Sequence, residues 1–286
     1  MSEYDAWQAL RQFVTVGGET LAYTRTGTAG KPSLVLVHGW LSHGRFWRHT
    51  MDALKNDYDC IAVDLYGFGF SDKNDSADYI IEAQARRVMA MMDALGVETF
   101  DLMGHSMGGA IALLLTAEHP ERVRKVIEVD GVVTGQLTPY IRRVIVPPLR
   151  IGYYIPQLWD ISRIGFRRWP WYKHIYADNA LTYERDIIAL GSEDLLMSVI
   201  PGGEAATYHA LNAINQINLT AALREIRVPT LIIFGEADNT VPLSEGHYAK
   251  THIPNSRLLV YERCGHNPML EMPERFAADV KAFLQG

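Results

Sequence analysis

The stretch from Phe100 to Pro120, FDLMGHSMGGAIALLLTAEHP, constrains this chain more than any other. Asp101-Leu102-Met103 reads as the end of an apolar strand, and Gly109 to Ala117 as an apolar helix. Between them Gly104-His105-Ser106-Met107-Gly108 fits the G-x-S-x-G pattern, in which a serine occupies a sharp strand-to-helix turn. Such a turn forces Ser106 into a cramped backbone conformation that lifts its hydroxyl above the sheet. Gly104 and Gly108 then remove side chains that would collide where strand and helix cross. The start of the helix offers unpaired N–H groups and a positive dipole end. A serine placed this way requires a base, an acid and a second donor from elsewhere in the chain.

The flanking sequence predicts the surroundings of that turn. Arg11 to Val16 and Leu21 to Arg25 read as strands around a Gly17-Gly18-Glu19 turn. Ser33 to Val37 and Cys60 to Val63 are nearly continuous apolar runs, as expected of parallel strands covered on both faces. Val123 to Val129, Pro229 to Gly235 and Arg257 to Tyr261 supply three more strands. Helices are expected from about Arg45 to Leu54, about Tyr79 to Leu95, up to about Val228, after Ser244 as its cap, and from about Pro273 to Leu284. Alternation of this kind predicts an α/β fold with a mostly parallel sheet between helices, binding its ligands at the carboxyl ends of the strands. Trp40, Asp64 and Ser106 all fall there.

From about residue 132 to 217 the strand pattern stops. Arginines, aromatics and Pro147-Pro148 dominate, half of the six tryptophans lie here, and helices are expected at about Tyr183 to Val199 and Glu204 to Gln216. This reads as a helical insertion over the carboxyl edge of the sheet, dividing the chain into a core (1–131 and 218–286) and a cap (132–217). Most of the cap aromatics are expected to fill its own interior, and a few to line a pocket.

Composition narrows the function classes. The 286 residues carry 48% hydrophobic and 21% charged side chains with a formal net charge of −6. That balance, without a basic cluster, argues against nucleic-acid binding. MSEYDAWQAL is acidic and has no long apolar core, unlike a signal peptide, and no apolar run is long enough for a membrane span. The chain is expected in the cytoplasm, with Cys60 and Cys264 as free thiols. No metal spacing, Walker A or complete dinucleotide glycine motif occurs, so neither metal nor cofactor is expected.

A serine hydroxyl needs a base, and the base needs a partner that sets its tautomer. His266, in a Gly-His turn just after the last strand, is the preferred base among ten histidines. His38 is expected to orient the loop around Gly39, and His105 to point away from the serine. For the acid, Asp238 past the strand ending at Phe234 is preferred, with Glu236 and Asp130 as rivals. The backbone N–H groups of Met107 and Trp40 are placed to bind an oxyanion.

In this order, His38-Gly39-Trp40, DLYGFGFSD (Asp64 to Asp72), GHSMGG (Gly104 to Gly109), PTLIIFGEAD (Pro229 to Asp238) and CGHNPMLEMPERF (Cys264 to Phe276) resemble the α/β-hydrolase fold superfamily nearly end to end. The resemblance implies an eight-stranded, mostly parallel sheet with a helical cap and a Ser106, Asp238, His266 set. DLYGFGFSDK is similar to haloalkane dehalogenases and epoxide hydrolases, but both use aspartate where Ser106 stands, and dehalogenases have tryptophan where Met107 stands. Meta-cleavage product hydrolases, which cut carbon–carbon bonds, usually carry HGxGPG and GNSxGG, and neither appears. Cofactor-free haloperoxidases and perhydrolases share HGW and GHSMGG but have a smaller cap. The expectation is a carboxylesterase-like serine hydrolase acting through an acyl-enzyme on a small hydrophobic substrate. Carbon–carbon hydrolase, perhydrolase and a non-enzymatic receptor on the same fold are the alternatives.

Overall fold

The structure is a computed structural model that describes residues 3–28, 30–155 and 203–286. Eight strands form one sheet: β1 (Arg11–Val16), β2 (Glu19–Gly27), β3 (Ser33–Val37), β4 (Asp59–Val63), β5 (Phe100–His105), β6 (Val123–Val129), β7 (Thr230–Gly235) and β8 (Ser256–Tyr261). Their order is β1-β2-β4-β3-β5-β6-β7-β8. β1 pairs antiparallel with β2 and β2 antiparallel with β4, while the remaining neighbours are parallel. The β1–β2 hairpin turns through Gly17 and Gly18 at φ of 60° and 86°, the positive values a two-residue loop demands.

Successive residues of the central strands point to opposite faces, which builds two apolar layers. Val35, Val37, Ile61, Val63, Leu102 and Ile232 face α3 (Ile81–Ala94) and α4 (Met107–Glu118). Leu34, Leu36, Cys60, Ala62, Met103 and Ile233 face α2 (Arg48–Leu54) and the C-terminal helix (Pro273–Gln285), which contributes Phe276, Val280 and Leu284. Burial of each such side chain stabilises the fold by about 1.5–3 kcal/mol. Between the last two strands and that terminal helix lie α8 (Ser244–His252) and the short α9 (Pro268–Glu271), so the terminal helix is α10.

Several expectations shift at their edges. A seven-residue helix, α1 (Glu3–Ala9), precedes β1 where no element was expected. The region from Arg45 opens as a 3₁₀ turn (Gly44–Trp47) before α2. α4 begins at Met107, two residues before the expected start, because Gly108 and Gly109 are helical and serve close packing. Ser244 does not cap α8: it is the first helical residue, and no side-chain cap bond is made. The helix expected to reach Val228 is α7 (Thr220–Glu225).

Of the insertion, a π-helical turn (Ile141–Ile145), α5 (Val146–Tyr154) and α6 (Gly203–Gln216) are described. The helix expected at 183–199 lies outside the described residues, as do Trp159, Trp169 and Trp171. Ile141, Ile145, Leu149, Ala206, Leu211 and Ile214 join the same apolar cluster as the α3–α4 face. Cys60 and Cys264 are free and buried. Among the described residues no helix is long and apolar enough to cross a membrane.

Candidate active site

Ser106 joins β5 to α4 with φ 54° and ψ −118° and is 7% exposed. The glycines around it are there for space. A methyl at Gly104 would stand 2.0 Å from the Gly108 carbonyl oxygen, and one at Gly108 would stand 2.3 Å from that of Val37. The Ser106 N–H donates to the Val129 carbonyl at 2.8 Å, pinning the turn to the neighbouring strand. Met107 is the first residue of α4, so its N–H has no carbonyl four residues back within the helix.

The loop after β3 presses on this turn. A Cβ on Gly39 would lie 3.0 Å from the Ser106 Cβ and 3.0 Å from His105 Nδ1, so only glycine lets the backbone pass this close. His38 holds the loop as expected: Nδ1 donates to the Gly39 carbonyl at 2.7 Å and Nε2 accepts the Leu65 N–H at 3.0 Å. Burial lowers its pKa to about 4, which keeps the ring neutral and both bonds intact. The half-buried Trp40 turns its indole to α6, donating from Nε1 to the Thr207 carbonyl at 2.9 Å.

Asp238 and His266 meet across the ends of β7 and β8. His266 Nδ1 lies 2.7 Å from Asp238 Oδ2, and the Asp238 side chain has no solvent exposure. A carboxylate only accepts, so Nδ1 carries the proton and Nε2 is left as a base. Asp238 Oδ1 accepts from Thr240 N at 2.7 Å and Val241 N at 3.0 Å, which fixes the carboxylate before the histidine uses it. The rival Glu236 is exposed and accepts from Arg263 N at 3.4 Å. The second rival, Asp130, is fully buried behind the pair.

His105 points away from the serine turn, as expected, and binds the histidine loop: its Nε2 lies 2.7 Å from the His266 carbonyl, and the two rings are 4.7 Å apart. Burial, followed by the neighbouring His266, lowers the His105 pKa well below the usual value. Glu271 is a support that no motif flagged. Its Oε2 accepts from Gly265 N at 2.8 Å and its Oε1 from Asn267 N at 3.1 Å, clamping the turn on both sides of His266. The only hint was its place four residues after Asn267, where a side chain reaches back over a helix start.

Asp64 belongs to the frame. Oδ1 accepts from Gly44 N at 2.7 Å and Oδ2 from Phe70 N at 2.9 Å. Gly69 makes room for that carboxylate, since a Cβ there would lie 2.3 Å from it. Among the described residues His105, Asp130 and His266 are a close trio of metal-ligating types. His105 Nε2, Asp130 Oδ1 and His266 Nδ1 are engaged by the His266 carbonyl, Gly235 N and Asp238, while His105 Nδ1 and Asp130 Oδ2 are buried without a hydrogen bond.

Ser106, the His38-Gly39-Trp40 loop, Asp238 and His266 thus all follow the carboxyl ends of strands, those of β5, β3, β7 and β8. Such a set can take a proton from a hydroxyl and aim N–H groups at developing negative charge. The family model described as "Alpha/beta hydrolase family" matches residues 34–279. A pimeloyl-[acyl-carrier protein] methyl ester esterase of Neisseria meningitidis is 30% identical, over 88% of this chain and 93% of its own length. A 2-hydroxy-6-oxononadienedioate/2-hydroxy-6-oxononatrienedioate hydrolase of Paraburkholderia phymatum is 30% identical, over 96% of each chain. Among solved structures, a membrane phospholipase A superimposes with a TM-score of 0.79 at 27% identity, covering 99% of this chain and 89% of that one. The chain is a hydrolase and belongs to the α/β-hydrolase family.

Proposed function

We propose that this hydrolase cleaves the carboxylic ester of a small hydrophobic substrate through a Ser106 acyl-enzyme. The carrying observation is the 2.7 Å contact of His266 Nδ1 with the buried Asp238, beside a serine turn of positive φ. His266 takes the Ser106 proton as the hydroxyl attacks the carbonyl. Asp238 holds the imidazole and offsets its charge, and the N–H groups of Met107 and Trp40 receive the oxyanion. His266 then protonates the leaving alcohol, and water repeats the attack on the acyl-enzyme. The segment 132–217 acts as a cap over this centre, and the aromatic side chains it carries favour an apolar acyl or aryl group. The Neisseria relative, named for cleaving a methyl ester, supports ester chemistry. The two free thiols fit a reducing compartment, and we place the protein in the cytoplasm.

The Paraburkholderia relative favours carbon–carbon hydrolysis as the second reading. Turnover of short p-nitrophenyl esters against a vinylogous diketone acid separates the two. Ester turnover in wild type, falling by about 10⁴-fold or more in Ser106→Ala with an unchanged circular dichroism spectrum, is expected. Near-wild-type turnover by that variant would overturn the assignment, and faster cleavage of the diketone acid would transfer it to the second reading.

A further inference from the structure

We infer that Thr138 is a positioning residue for the Asp238 loop: through two successive peptide groups it aims the donors that hold the Asp238 carboxylate against His266. The inference deepens the serine-hydrolase reading above and rests on it.

Asp238 Oδ1 accepts the N–H groups of Thr240 and Val241, at 2.7 and 3.0 Å. These N–H groups belong to the peptide units Asn239–Thr240 and Thr240–Val241, whose oxygens are the carbonyls of Asn239 and Thr240. Thr138 meets both oxygens. Its hydroxyl donates to the Asn239 carbonyl at 2.5 Å, and its backbone N–H donates to the Thr240 carbonyl at 3.0 Å. Each unit is therefore bonded at both ends, to Thr138 at its oxygen and to Asp238 at its hydrogen. A trans peptide is planar with C=O and N–H opposed, so fixing the oxygen aims the N–H. A bond accepted at the carbonyl also polarises the unit and strengthens the bond that its N–H donates. Asp238 turns its other oxygen to His266 Nδ1 at 2.7 Å, which completes a chain from Thr138 to the imidazole.

Thr138 can steer that loop because it is itself held. It is 9% exposed and lies in the segment that leaves β6, 101 residues before Asn239. Earlier in that segment the Val133 and Thr134 N–H groups both donate to Glu245 Oε2 at 2.7 Å, and the Thr134 hydroxyl donates to Glu245 Oε1. Glu245 is 1% exposed in the first turn of α8, so its carboxylate is a fixed anchor. Leu219 N donates to the Val133 carbonyl at 2.8 Å, tying the segment to the chain that returns from α6. Arg142 N donates to the Thr138 carbonyl at 3.1 Å, and Arg142 Nη2 to that of Gly135 at 3.1 Å. Valine has nearly the shape of threonine and lacks only the hydroxyl. With valine at 138 the Asn239–Thr240 unit is fixed at its hydrogen alone, and the shorter of the two bonds to Asp238 loses its aim. The carboxylate then drifts from Nδ1, and the imidazole is less well oriented at the moment of attack.

The test is a double-mutant cycle on p-nitrophenyl butyrate, with kcat and KM measured for Thr138→Val, Asp238→Ala and the double variant after correction for spontaneous hydrolysis. Asp238→Ala is the proper background, because asparagine would offer an N–H to Nδ1 and favour the wrong tautomer. Thr138→Val is expected to lower kcat by about 10-fold with KM within about twofold, and Thr138→Ser to keep kcat within about twofold of wild type. In the Asp238→Ala background no carboxylate is left to aim, and Thr138→Val is expected to change kcat by less than about twofold. An unchanged kcat in Thr138→Val, a serine variant as slow as the valine one, or an equal loss in both backgrounds would overturn the inference. If Thr138→Val does not fold, Thr138→Ser and Thr138→Ala differ by the same hydroxyl and are compared in both backgrounds instead. Ser106→Ala, assayed in parallel, keeps the two levels apart. An active Ser106→Ala, or an Asp238→Ala as fast as wild type, sinks the serine-hydrolase reading and this inference with it. An inactive Ser106→Ala with additive Thr138 and Asp238 effects sinks only this inference.

Discussion

Leu41, Ser106, Asp130 and Arg263 are the four non-glycine residues with positive φ among those described, and each sits in a loop that follows a parallel strand of the sheet. Backbone strain of about 1–3 kcal/mol per residue persists only where the surroundings enforce it. Here it gathers on the loop after β3, the Ser106 turn, the β6 end and the turn into His266. Ser106, Asp238 and His266 were legible in the sequence because each stands a few residues past an apolar strand, and glycines mark two of the turns. Glu271 was not legible, because its partners are backbone N–H groups, which leave no trace in side-chain identity. Glu271→Gln tests its clamp: one of the two donors it accepts from would then face an amide N–H₂ (two donors, no acceptor between them). The expected result is a loss in kcat of about 10-fold with little change in KM, since histidine orientation, not substrate binding, is disturbed. Steady-state kinetics check it, and an unchanged kcat would show that the turn holds itself.

At the scale of elements, the crossing of β5 and α4 depends on the absent side chains at Gly104 and Gly108, and that much could be read from GHSMGG. The start of α4 was read two residues late because the G-x-S-x-G pattern was assigned whole to the turn, whereas Met107 and Gly108 are already helical. α1 escaped notice because seven residues carry too little periodicity to stand out. The tie between the loop after β3 and α6 was equally hidden. Only the backbone N–H of Trp40 stood out in the sequence, yet its indole N–H reaches a carbonyl of α6, 167 residues away. Trp40→Phe keeps the ring and the backbone N–H but removes that bond. It is expected to raise KM a few-fold with kcat within about threefold, and to speed limited proteolysis within the cap. A kinetic profile and cleavage rate equal to wild type would deny the loop any hold on the cap.

Over the whole molecule, the alternation of strands and helices allowed a mostly parallel sheet between helices to be anticipated, and the resemblance to α/β-hydrolases implied its eight strands. Buried ionisable groups were not readable in this way, because burial depends on what packs over them. Glu128 is fully buried, accepts from Gly131 N and has its pKa pushed up from 4.5 to about 8, chiefly by burial. Between those values the folded state holds a proton that the unfolded chain has lost, so stability falls as pH rises through the window. His38 acts at the other end. Its ordinary value of 6.5 drops to about 4, so the unfolded chain takes up the proton first and stability falls as pH drops through that range. Glu128→Gln removes only the first effect. Thermal melts should show a gain on the order of 2–4 kcal/mol near pH 8 and almost none near pH 5. An equal shift at both would place the effect in packing.

We propose Ser106, activated by His266 and Asp238, as the nucleophile of this hydrolase. A fluorophosphonate probe followed by intact-mass spectrometry reads it most directly, because the probe captures only an activated hydroxyl. One adduct on the wild-type chain is predicted, mapping to the peptide that contains Ser106, absent from Ser106→Ala and slowed by orders of magnitude in His266→Ala. A wild-type chain that takes no adduct, or a Ser106→Ala chain that takes it at the wild-type rate, would show that Ser106 is not an activated nucleophile.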